Sequence, residues 1–165
     1  MEPVDGEPKD IAVERPRPCH GSVLGTRMVP ARPEEVAPAR HWLAGLLATD
    51  HAAIADDVVL LACEVVTNAI RHSDSARPRA DGLPGTVTVV ASEVHGAVRV
   101  EVADAGSANS APRLAEDDPG AVCGRGLHLL DIVSGGRWGS REDEDGRTVW
   151  FEIRTDGRGE PSGER

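Results

Sequence analysis

Apolar positions along this chain recur at helical spacing in some stretches and alternate with polar ones in others. Val36, Ala39, Leu43, Leu46 and Leu47 follow one another at helical intervals, which predicts a helix over about residues 33–48. Pro33-Glu34-Glu35 reads as its start, with proline in the first turn and acids at the positive end of the dipole. Pro38 is awkward inside that helix and marks a kink or a later start. After a connection over 49–55, Val58, Ala62, Val65, Val66 and Ala69 form a second apolar stripe through a helix at 56–73.

Thr86-Val-Thr-Val-Val and Ala97-Val-Arg-Val-Glu-Val alternate with the period of a strand. His95-Gly96 between them is a tight turn, so an antiparallel hairpin is expected. A short strand is expected at 20–29 and a short helix at 126–133. A second hairpin should form from 137–141 and 147–154 around the acidic turn 142–146. Residues 74–85 are a loop by composition. Residues 105–123, with the acidic cluster Glu116-Asp117-Asp118, form a second and longer one, and loops of that length are usually functional or mobile.

Composition narrows the picture. Residues 1–19 are Pro-rich, charged and poor in apolar side chains, which predicts a disordered arm; 156–165 read as a tail, leaving one domain at 20–155. Aromatic residues make up 2% of the chain, so its core must be built of Val, Leu, Ile and Ala. Lys9 is the single lysine beside many arginines, the pattern of a high-GC bacterial genome. A net charge of −10 opposes binding to a phosphate backbone, so nucleic acid is not an expected direct partner. No apolar run reaches membrane-spanning length, and the first residues do not resemble a signal peptide. Cys19, Cys63 and Cys123 are scattered without metal-ligand pairing, which predicts reduced thiols in a cytoplasmic protein, with Cys63 as a core residue.

The helix at 56–73 carries the candidate chemistry. At about 100° per residue, Asp57, Glu64, Asn68 and Arg71 fall within about 60° of one another, away from the apolar stripe. An amide oxygen can ligate a hard cation such as Mg²⁺, a carboxylate can take a proton, and an arginine can hold phosphate. Taken alone, the same pattern is also that of a half-buried helix with a solvated Glu–Arg face. Two further signals follow in order: Asp104-x-Gly106 at a strand end, and Gly124-Arg125-Gly126-Leu127 opening a helix after the long loop. Each is weak by itself; together with Gly146-Arg-Thr148-Val-Trp-Phe on the last strand they are fairly specific.

This arrangement resembles the Bergerat-fold (GHKL) ATP-binding domain shared by gyrase, the heat-shock protein of ninety kilodaltons, histidine kinases and mismatch-repair ATPases. It looks closest to the small stand-alone anti-sigma-factor serine/threonine kinases of bacteria. The resemblance covers about residues 23–153. It implies a two-layer α/β sandwich: a mixed sheet with helices on one face, and ATP held between the helices and a lid loop.

Residue by residue, the resemblance makes Asn68 the Mg²⁺ ligand and Glu64 the base that activates the attacking hydroxyl or water. It gives Asp104 the adenine amino group, with Gly106 leaving room for the base and Thr148 supporting that contact. It has Gly124 and Gly126 let the lid backbone wrap the phosphates, beside Arg125 and Leu127. Arg71 takes the place of a phosphate-touching residue, and His72 matches a histidine common in the anti-sigma group. The lid lacks the fuller glycine run and the Glu-Arg pair of the best-known anti-sigma kinases. Either Arg125 replaces that arginine or the chain carries no counterpart to it, and phosphotransfer is a separate question from ATP binding. The implied cofactors are ATP and Mg²⁺. The implied partners are a sigma factor and an antagonist protein, with a homodimer possible in relatives, and the alternative is an ATP-gated binding module without phosphotransfer.

Overall fold

The computed structural model describes residues 21–72, 82, 85–105, 125–144 and 146–156. The chain runs β1 (Ser22–Pro30), a 3-10 turn (Pro33–Glu35), α1 (Val36–Leu47), α2 (Ala55–His72), β2 (Thr86–Val94), β3 (Ala97–Asp104), α3 (Arg125–Ser134), β4 (Trp138–Asp143) and β5 (Gly146–Arg154). The strands form one five-stranded sheet in the order β1-β2-β3-β5-β4. Every described pairing is antiparallel, so the sheet is not the mixed one expected. The physical reason is connectivity. β2–β3 and β4–β5 are hairpins, the β1–β2 crossover returns through helices to an antiparallel neighbour, and the β3–β4 crossover passes to the sheet edge so that β5 inserts antiparallel to both β3 and β4.

Pro38 turns out not to kink a helix. It is the third residue of α1, where its missing N–H would lack an intrahelical partner in any case. His95 and Gly96, at φ 46° and 75°, make the tight turn between β2 and β3.

All three helices lie on one face of the sheet. Val58, Leu61, Ala62, Val65, Val66, Ala69 and Ile70 of α2 are buried, so the predicted stripe is wider by Leu61 and Ile70. They pack with Val87, Val89 and Ala91 of β2, Val98, Val100 and Val102 of β3, and Phe151 and Ile153 of β5. This period-2 set defines the helix-facing side. The other side is charged. Arg99 lies 4.1 Å from the Trp150 ring centre and bonds Glu101 at 3.0 Å and Glu152 at 2.9 Å. With Arg141 also beside Glu101, the described part of that face holds a paired ionic network. The functional residues have to be sought on the helix side.

Candidate functional site

α2 presents its polar residues where α3 begins. Glu64 and Asn68 are half-buried, one turn apart, while Asp57, Arg71 and His72 are exposed. α3 opens with Arg125 and reaches Gly126 at its second residue. A methyl group at Gly126 would stand 3.0 Å from Glu64 Oε2 and 3.2 Å from Asn68 Nδ2. The absence of a side chain at Gly126 therefore lets the start of α3 press against both polar groups. The Asn68 amide meets α3 with its nitrogen; its oxygen is the atom that suits a hard cation. Arg125, Gly126 and Leu127 are first-turn residues, whose N–H groups have no intrahelical partner. Leu127 buries its side chain in the core at 7% exposure, so it anchors α3 and offers a ligand only its backbone.

The strand ends supply the rest. β3 packs beneath α2 and ends at Asp104, half-buried and on the same face as Val100 and Val102. The β3–β5 register sets Asp104 opposite Arg147 and Ala103 opposite Thr148. Cross-strand partners share a face. Thr148 therefore lies on the side of Arg99 and Trp150, on the other face of the sheet from Asp104. Its neighbour Arg147 is the residue that faces the helix side. Arg147 is 8% exposed and donates from Nη2 to Glu142 Oε1 at 3.2 Å. Sequence reasoning passed over it, although the alternation Arg147, Val149, Phe151, Ile153 was the signal that could have found it.

Gly146 explains why this rung is fixed. It sits at φ 144°, and a methyl group there would collide with the Asp104 carbonyl oxygen. At the other end of the site, the Trp138 indole N–H bonds Asp131 at 2.9 Å and ties α3 to β4. Burial pushes the Cys63 thiol up from its ordinary value, as the neighbouring Glu64 carboxylate also does, while Arg40 pulls the other way. Cys63 is half-buried and lies at the edge of the core, not within it as expected. Gly106 and Gly124 lie outside the described residues, as does the expected lid except Ala105 at the end of β3.

The model of the histidine kinase-like ATPase domain matches residues 29–153, most of the chain and all of the elements just described except most of β1 and the last residue of β5. The chain belongs to that family. No curated protein matches it. Among solved structures it is similar to the RsbU and RsbW domains of Rv1364c from Mycobacterium tuberculosis, with a TM-score of 0.51 and 22% identity. That match covers 79% of this chain and 31% of the other, so the chain spans about a third of that protein. At this identity the likeness speaks for the fold, a two-layer α/β sandwich with the sheet on one side. Family membership makes ATP the expected ligand.

The residues fit Mg-ATP on their own chemistry. An amide and a carboxylate one turn apart suit a hard cation and a proton transfer, and the side-chain-free helix start against them suits phosphate. Among the described residues no trio of His, Cys, Asp or Glu gathers into a metal cage. Mg²⁺ does not require one, since it is usually held by one or two protein ligands together with substrate phosphates and waters.

Proposed function

We propose that this protein is an ATP-binding regulator of the anti-sigma-factor type that phosphorylates a serine or threonine on an antagonist protein. The observation that carries the reading is the seat of Gly126 against Glu64 and Asn68. It joins the first and last of the three sequence signals in one place. Asn68 would hold Mg²⁺ through its side-chain oxygen, the Asp104 carboxylate would accept from the adenine amino group, and the first N–H groups of α3 would face phosphate. Mg²⁺ bound there would neutralise charge on the phosphates during transfer. The Glu64 carboxylate would take the proton of the attacking hydroxyl as its oxygen bonds to the γ-phosphorus and ADP leaves.

The solved RsbW domain, a likeness of fold, agrees with a regulatory role. A sigma factor or its antagonist is the partner class this reading implies. The second reading, an ATP-gated binding module, is favoured by one feature: the lid has Cys123-Gly124-Arg125-Gly126 and no Glu-Arg pair before it. Incubation with γ-labelled ATP and antagonist proteins encoded nearby tests the choice. Label on the antagonist that disappears with Glu64→Gln supports the kinase. ATP binding with no transfer to any of them supports the module.

A further inference from the structure

His51 sits where α1 hands over to α2. Its backbone is held on both sides: the N–H donates to the Leu47 carbonyl at 3.1 Å, and the carbonyl accepts from the Ile54 N–H at 3.1 Å. The side chain is 7% exposed, and Nε2 is buried with no hydrogen-bond partner. A buried ring nitrogen costs free energy unless something takes it up. The atom it faces is Oε2 of Glu93 on β2, 3.5 Å away and too far for a good hydrogen bond. The Glu93 side chain is half exposed, so water reaches its carboxylate without help from His51. Beside this pair the chain enters β1. Ser22 stands opposite Glu93, and a methyl group at Gly21 would collide with the Glu93 carbonyl oxygen. The two residues before Gly21 are Cys19 and His20. By bond geometry their Cα atoms come within about 7 and 4 Å of that of Gly21.

We propose that His51, Glu93, Cys19 and His20 form a structural zinc site that fastens the chain ahead of β1 to the junction of α1 and α2. The site is independent of the ATP-binding reading. His51 and Glu93 are its described half; Cys19 and His20 lie outside the described residues and are brought in by their place in the sequence. Zn²⁺ takes four N, S or O ligands at the corners of a tetrahedron, with bonds to imidazole and carboxylate of about 2.0–2.2 Å. The edge of such a tetrahedron is about 1.6 bond lengths, or about 3.4 Å. The 3.5 Å between Nε2 and Oε2, long for a hydrogen bond, is the spacing of two ligands on one zinc. On binding, the Nε2 lone pair goes to the metal and the Cys19 thiol releases its proton to solvent. Thiolate and carboxylate together balance the charge of the ion. Mg²⁺ does not suit these donors, since it demands oxygen ligands in an octahedron.

The test titrates Zn²⁺ into the full chain against a competing chelator, without nucleotide and with Mg²⁺ in excess. The unaltered chain should bind a single Zn²⁺, and Co²⁺ in its place should give the strong visible bands of a tetrahedral centre with a thiolate band in the near ultraviolet. Loss of an outer partner of a metal ligand costs about 10–100-fold in affinity, so loss of a ligand itself should cost about a hundredfold or more. Glu93→Gln, Cys19→Ser and His20→Ala should each show that loss, and Cys19→Ser should also remove the thiolate band. His51→Gln should match them, with circular dichroism checking its fold; should it not fold, Glu93→Gln, a change at a half-exposed side chain, carries the test. Cys63→Ala should leave affinity and bands unchanged. Zn²⁺ should raise the urea midpoint of the unaltered chain and not that of Glu93→Gln. No Zn²⁺ binding to the unaltered chain overturns the proposal, as does Zn²⁺ affinity unchanged in Glu93→Gln or in Cys19→Ser, which would mark an adventitious ion only.

Discussion

Gly126→Ala asks whether the contact between α3 and α2 serves the fold or the ligand. Within a helix, alanine is favoured over glycine by about 0.5–1 kcal/mol, so on local grounds the change should stabilise. The new methyl group would stand 3.0 Å from Glu64 Oε2 and 3.2 Å from Asn68 Nδ2, inside the about 3.5 Å at which such contacts become favourable. Both atoms are the ends of side chains, which can swing away by a few tenths of an ångström. The two effects offset, and global stability should change by less than about 1 kcal/mol. Ligand binding has no such latitude, because site groups need to be held within about 0.5 Å of their productive positions. Mg-ATP affinity should fall about tenfold or more, equivalent to about 1.4 kcal/mol. Urea titration and calorimetry on the same preparation measure the two quantities. Gly45→Ala is the control: it lies in α1 with nothing within 4 Å of the added methyl, so it should stabilise and leave affinity alone. Unaltered Mg-ATP affinity in Gly126→Ala would refute the reasoning, as would a loss of several kcal/mol in stability.

Three other outcomes are expected. Gly146→Ala should destabilise by about 2 kcal/mol or more in urea titration, since its φ of 144° and the Asp104 carbonyl both exclude a side chain; a change under half that would remove Gly146 as the reason for the rung. Phe151→Ala should cost about 3–5 kcal/mol, as the ring is wholly buried among valines and leucines of both layers. Cys63 should react slowly with iodoacetamide in the folded protein, because burial raises its thiol pKa and suppresses the thiolate. By the same shift, ionisation of the unfolded chain's free thiol comes first as pH rises. Cys63 should therefore lower stability above about pH 9, and Cys63→Ala should flatten that decline in alkaline urea titrations.

The elements were legible where side-chain period alone decides them. α2 starts within a residue of its expected limit and the β2–β3 hairpin turns at the expected His95-Gly96, because a long apolar stripe and a strict alternation each permit one register; β2 nevertheless runs four residues beyond its expected end, to Val94. The sense of the sheet was not legible. Antiparallel and mixed sheets need the same in–out pattern, and only the order of crossovers separates them. Within the site, the common face of Glu64 and Asn68 followed from helix geometry, whereas their meeting with Gly126 is a tertiary contact that no local pattern contains. The face that Thr148 takes was not legible either, since a motif match tolerates a slip of one residue and a strand does not. Arg147 was hidden by its charge, since an arginine in a strand is ordinarily read as facing water.

The central claim is that Asn68 of α2 is the protein's hold on a metal-bound nucleotide. Titration of ATP with and without Mg²⁺, on the unaltered chain and on Asn68→Ala, tests it most directly. Asn68 is half-buried on the polar side of α2, so its truncation should leave the fold intact. Mg²⁺ should tighten ATP binding to the unaltered chain, and Asn68→Ala should lose most of that gain while metal-free binding changes little. An equal gain from Mg²⁺ in both proteins would contradict the account.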